Sequence, residues 1–145
     1  MLRATNTGIK LTTVLFACVH NAGRSQMAAA WFNQLADRAK ARAVSAGTRP
    51  GTRVHPEVIT VMREVGIDLA GAPTTRLTPD VAQQAQMLVT MGCGDECPFV
   101  PGVERADWPL EDPKGKPIEV VRTIRDEVRD RVRALIDRNG WAATT

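Results

Sequence analysis

Cys18-Val19-His20-Asn21-Ala22-Gly23-Arg24-Ser25 is the stretch whose reading decides the fold. Before it, Leu11 to Val19 is β-branched and aliphatic, the composition of a strand buried in a parallel sheet. After it, a helical pattern begins near Ser25, where Met27, Trp31 and Leu35 recur every four residues and make one apolar stripe. Between them, His20-Asn21-Ala22-Gly23 is turn-rich, so the chain leaves a strand, turns and enters a helix.

The same alternation continues outward. Ala43-Val44-Ser45-Ala46-Gly47 reads as a second short strand, and Thr48-Arg49-Pro50-Gly51-Thr52 as loop. Pro56 opens a helix carrying Ile59, Met62 and Val65, which Gly66 stops. Met87 to Met91 is a third strand running into Gly92-Cys93-Gly94. The stretch from Pro98 to Pro117 is proline-rich and weakly structured, with Trp108 as its anchor. A long closing helix places Val121, Ile124, Val128, Val132 and Leu135 on one face and ends near Gly140. Strands alternating with helices predict an α/β domain with a parallel sheet, from 10 to 140, between a flexible leader (1–9) and a short tail (141–145). Ligands of such sheets gather beyond the carboxyl ends of the strands, and two of those ends carry Cys18 and Cys93.

Composition excludes several classes. With 145 residues, 43% hydrophobic and 24% charged, the chain is suited to one globular domain with a real core. The run Val14 to Val19 falls far short of the roughly 20 apolar residues a membrane helix needs. Lys10 and several threonines stand where a signal peptide needs an apolar segment, so a cytoplasmic location is expected. Three cysteines make an odd number, a poor framework for a secreted fold and better suited to catalysis, metal binding or packing. The net charge of +3 suits an anionic ligand, but the cations form no stripe. Signs alternate from Arg122 to Arg131, as on a solvated helix face, and no nucleic-acid partner is expected.

In a strand-to-helix turn the amides of Val19, His20, Asn21, Ala22, Gly23, Arg24 and Ser25 can point at one centre, and the helix adds its positive end. A tetrahedral oxyanion fits such a cradle. Cys18 beneath it would be held as a thiolate nucleophile by the same dipoles. Arg24 offers a planar fork to two oxygens, Ser25 a hydrogen bond to the Cys18 sulfur, and Asn21 a means of holding the loop's shape. The competing reading makes Cys18 a small buried hydrophobe and Arg24 a surface charge. In Trp108-Pro109-Leu110-Glu111-Asp112-Pro113, Asp112 sits on a proline-stiffened loop and could serve as the acid for a leaving group. Burial over the cradle would then keep its carboxyl protonated; otherwise it is a turn aspartate.

The loop Cys18 to Ser25, its continuation Gln26-Met27-Ala28, the turn Ser45-Ala46-Gly47 and the pair Asp112-Pro113 resemble the low-molecular-weight protein tyrosine phosphatase superfamily. The resemblance is closer to the arsenate reductases built on that fold. It runs from about Leu11 to Ile136 and includes Val89 to Cys93 and Val121 to Glu127. It implies a four-stranded parallel sheet flanked by helices and a single catalytic domain. Position by position, it makes Cys18 the nucleophile, Arg24 and the loop amides the binders of arsenate (or its mimics phosphate and sulfate), and Asp112 the general acid. It also implies a relay in which Cys93 attacks Cys18 and Cys97 then takes over the disulfide, with thioredoxin as the external reductant and no bound cofactor.

The segment Cys93-Gly94-Asp95-Glu96-Cys97 is compatible with that relay, because residues four apart in a helical turn lie near the roughly 6 Å Cα separation of a disulfide. Gly92 and Gly94 would let it refold as Cys93 changes partner by thiol–disulfide exchange. Half a zinc site and passive packing of both cysteines are the other readings, although His20 and His55 sit in unrelated segments. Some reductases of the family hold potassium through a glutamate whose position matches Ala29, so no metal is expected. The chain has no tyrosine, against a tyrosine phosphatase. A further branch passes arsenate to mycothiol, with mycoredoxin as partner, and needs Cys18 alone. Outside enzymes, the residues would suit an oxyanion-binding redox sensor. A monomer with no membrane contact is expected.

Overall fold

The computed structural model describes residues 11–92 and 100–143. Four strands, β1 (Thr12–Cys18), β2 (Ala41–Gly47), β3 (Met87–Thr90) and β4 (Glu104–Asp107), form one sheet in the order β2-β1-β3-β4. All three pairings are parallel, with Val14 opposite Ala43 on one side and Met87 on the other. The helices are α1 (Arg24–Leu35), α2 (Pro56–Arg63), α3 (Pro79–Gln83) and α4 (Ile118–Asn139). This is the four-stranded parallel α/β sheet that the resemblance implied.

β1 is central and buried on both faces, which is why its sequence is an unbroken apolar run. Its side chains alternate across the sheet. Val14, Phe16 and Cys18 join the larger core with Met27, Phe32, Val58 and Val128. Leu15 and Ala17 point the other way, onto Ala46, Ala82, Ala85 and Leu88. Phe16 lies 5.6 Å, centroid to centroid, from Trp108, so the expected anchor is a core residue closing over the end of the sheet.

The α4 face is the expected one, with Ile136 added, and Gly140 ends the helix at φ 71°, where only glycine is unstrained. Elsewhere the helical faces differ from expectation. Ala28 and Phe32 widen the buried side of α1, and Leu35 is half-buried near its end. In α2 the buried set is Val58, Val61 and Met62, while Ile59 and Val65 are half-buried; the residues at i, i+3 and i+4 from Val58 face α4 and the sheet.

Two elements were absent from the sequence reading. α3 is a single capped turn, with Thr78 accepting from the Val81 amide at 3.2 Å, too short to show a helical period. β4 lies inside the stretch read as weakly structured. Glu104-Arg105-Ala106-Asp107 has no apolar pattern because it is an edge strand, and only the ladder offered by β3 makes it extended. Beyond Gly140 the expected tail packs back: the Asp37 amide donates to the Trp141 carbonyl at 2.7 Å, and Trp141 meets Phe32 edge-on at 5.9 Å. No helix among the described residues is long and apolar enough to cross a membrane.

Phe16 is fully buried between Phe32 and Trp108. Phe16→Ala should therefore destabilise the fold by about 3–5 kcal/mol, read as a lower urea midpoint at unchanged slope.

Candidate active site

Cys18 is the last residue of β1, at the point where β1 has β2 on one side and β3 on the other. The turn that follows is held by its carbonyls. Cys18 O accepts from the Thr48 amide at 3.1 Å, Val19 O from Arg49 at 2.8 Å, His20 O from Gly51 at 2.9 Å and Ala22 O from His55 at 2.9 Å. Asn21 O accepts from Gln26 Nε2 at 3.0 Å. A trans peptide points its N–H opposite to its C=O. Five carbonyls drawn into the surrounding protein therefore turn the amides of Val19 to Gly23 the other way, to the concave side of the loop. α1 has no side-chain N-cap, so its first amides join them. Among the described residues no amide from Val19 to Ser25 has an acceptor. The result is a ring of donors with a helix N-terminus behind it.

Beneath the ring, Cys18 is buried, and its Sγ lies 2.9 Å from Ser25 Oγ. Asn21 Nδ2 donates to the same hydroxyl at 2.8 Å. With Ser25 Oγ already accepting, its proton is free for the sulfur, so Ser25 is the donor to Cys18. Asn21 adopts φ 52°, and its side chain fixes that left-handed turn by also accepting from the Thr75 amide at 2.8 Å. Gln26 Nε2 reaches Pro73 O at 2.8 Å, tying the loop to the next segment. Gly47 leaves room for all this: a Cβ there would stand 2.7 Å from Val19 O and 2.8 Å from Asn21 N.

Arg24 points back over the mouth and is buried. Its Nη1 donates to Leu110 O at 3.1 Å, and its Nη2 lies 3.7 Å from Asp112 Oδ2. The guanidinium rests against Gly92, at φ 94°, where any side chain would collide with it. Asp112 thus stands at the site, but its side chain is 44% exposed and pairs with Arg24. The burial expected over the cradle is absent, because the 110–113 loop crosses the rim and seals it with Pro113 on Gly23 instead. Beside Gly23, half-buried His55 has its pKa lowered from the usual value chiefly by desolvation, against the opposing charges of Glu57 and Asp112.

The fold brings Cys18, Asn21, Arg24, Ser25 and Asp112 to one place, together with the loop residues Val19, His20, Ala22 and Gly23. His20 is half-buried at the rim. Cys93 and Cys97 lie outside the described residues. Up to Gly92 the described chain runs beside the end of β1: the Met91 amide donates to Ala17 O at 2.8 Å, and Gly92 touches Arg24. The sequence reading gave no role in the cradle to Gln26 or His55, and it read Gly92 as freedom for Cys93 to move rather than as the surface on which Arg24 rests. Only the doubled glycine around Cys93 hinted at a close backbone approach there.

A buried cysteine under a ring of amides, at the switch point of a parallel α/β sheet, defines a thiol-based oxyanion site. The chain belongs to the low molecular weight phosphotyrosine protein phosphatase family, whose model matches residues 13–140. It is 38% identical over 126 residues to the glutaredoxin arsenate reductase of Synechocystis sp., covering 85% of this chain and 95% of that one. A thioredoxin-dependent arsenate reductase of Corynebacterium glutamicum superposes with a TM-score of 0.75 at 38% identity, over 88% of this chain and 61% of that one. The chain thus spans about three-fifths of the Corynebacterium chain. An arsenate reductase of Archaeoglobus fulgidus gives a TM-score of 0.74 at 31% identity, over 86% and 98%.

Because the contacts at Gly47 are to backbone, Gly47→Ala must displace the loop. Phosphate binding measured by calorimetry should weaken by about tenfold or more, the loss of roughly one charge-assisted hydrogen bond.

Proposed function

We propose that the protein reduces arsenate to arsenite through a Cys18 adduct and a Cys18/Cys93/Cys97 relay regenerated by thioredoxin. The outward-turned carbonyls of Cys18 to Ala22 carry this reading, since they leave a ring of donors shaped for a tetrahedral oxyanion above a thiol. The similarity to arsenate reductases supports arsenate as that oxyanion.

Arsenate binds on the amides and Arg24, and the Cys18 thiolate, hydrogen-bonded by Ser25, attacks arsenic. An arsenate oxygen leaves as water, with Asp112 at the solvent-facing rim relaying the proton it needs from water. The Cys93 thiolate then attacks the Cys18 sulfur. A sulfur–sulfur bond forms, the sulfur–arsenic bond breaks, and its electron pair stays on arsenic, which departs as arsenite. Cys97 attacks Cys93, freeing Cys18, and thioredoxin reduces the resulting Cys93–Cys97 disulfide. Neither a metal nor a bound cofactor is needed, and a reducing cytoplasm keeps the three thiols available.

NADPH consumption with thioredoxin and thioredoxin reductase should depend on arsenate and vanish in Cys18→Ser and Cys93→Ser. Cys97→Ser should accumulate a Cys18–Cys93 disulfide on peptide mapping. Undiminished cycling by Cys93→Ser would refute the relay, whereas no arsenate-dependent consumption by the wild type would move the reductant to mycothiol or a glutaredoxin-like partner.

A further inference from the structure

Beside the cradle lies a cleft of about 210 Å³. Its walls are His20 and Ala22 from the loop, Arg53 and His55 from the β2–α2 connection, and Lys114 from the segment that carries Asp112. It shares its inner wall with the cradle, since Gly51 and His55 donate to the carbonyls of His20 and Ala22. Its Lys114 wall is tied to Asp112, whose Oδ1 accepts from the Lys114 amide at 3.0 Å. Arsenate on the loop amides has no appended group to occupy this space.

The lining charge is one-sided. No carboxylate lines the cleft, although the charges of Glu57 and Asp112 act on His55 in its wall, and among the described residues neither Arg53 nor Lys114 has an acidic partner. Several surface cations elsewhere do: Arg63 pairs with Asp68, Arg122 with Glu64, Arg129 with Asp130 and Lys116 with Glu111. Two cations without an ion-pair partner lining one cleft, with two imidazoles able to hydrogen-bond, favour an anion there.

We propose that this cleft is a second anion subsite. Together, cradle and cleft take a small organic oxyanion bearing a carboxylate near its tetrahedral head, the head on the loop amides and the carboxylate on Arg53 and Lys114. The inference rests on the cradle's reading as an oxyanion site, and extends its ligand class from inorganic ions to doubly acidic organic ones.

Non-hydrolysable phosphonates test it by calorimetry on the full chain at low salt. 3-Phosphonopropionate should bind about tenfold tighter than propylphosphonate, which has the same chain length without the carboxylate. In Arg53→Gln/Lys114→Gln that advantage should fall to less than about twofold while inorganic phosphate binds as before. Arg133→Gln/Arg138→Gln, which removes two exposed charges from α4, should keep it and so separates a local subsite from net charge. Equal binding of the two phosphonates, or an advantage that survives in Arg53→Gln/Lys114→Gln, overturns the subsite and leaves the cradle standing. Failure of inorganic phosphate to bind the wild type overturns both.

Discussion

The peptide planes from Cys18 to Ala22 are clamped with their carbonyls facing the body of the protein, by amides of Thr48, Arg49, Gly51 and His55 and by the Gln26 side chain. A loop of six or seven donors aimed at one point would repel itself and, without an acceptor, waste its hydrogen-bonding capacity. The clamp reverses that balance, because each carbonyl gains a partner and each amide is oriented as a consequence. The donor-lined surface is thus the back of an ordinary set of backbone hydrogen bonds, and needs no strained geometry beyond the single left-handed Asn21.

That clamp explains residues that never touch a ligand. Gly47 must lack a side chain so that the end of β2 can lie under the loop. Asn21 holds the turn through its side-chain oxygen and passes its amide donor to Ser25, which is thereby left to donate to sulfur. Gln26 binds the Asn21 carbonyl and Pro73 with one nitrogen and so couples the loop to the α2–α3 connection. The polar side chains Asn21, Ser25 and Gln26 are all buried, and none of them leaves a buried side-chain nitrogen or oxygen without a partner, as a low-dielectric network must not.

Arg24 is the hinge between this cradle and the other half of the site. It leaves the first turn of α1, packs on Gly92 at the exit of β3 and donates to Leu110 in the loop of Asp112. One guanidinium therefore links α1, the strand that leads toward Cys93 and the loop that holds Asp112. Since Arg keeps its charge at any working pH, this junction stays cationic whether or not an anion is present.

Residue chemistry alone determined the local unit. A run buried on both faces, a turn of Asn and Gly, and a helix start put Cys18, Arg24 and Ser25 where they are, because each depends on neighbours within a few residues. The closing helix was equally legible, its apolar period being long enough to rise above noise. Tertiary structure decided what had no local signature. Glu104 to Asp107 became a strand only because β3 offered a ladder, and Asp112 came to rest exposed at the rim because Pro113 packs on Gly23. The same holds for Arg53 and Lys114, sixty-one residues apart, which share a cleft because two loops cross the same end of the sheet. Contacts between distant segments cost chain entropy that the packed core must offset, so they are set by the whole fold and leave no periodic trace in the sequence.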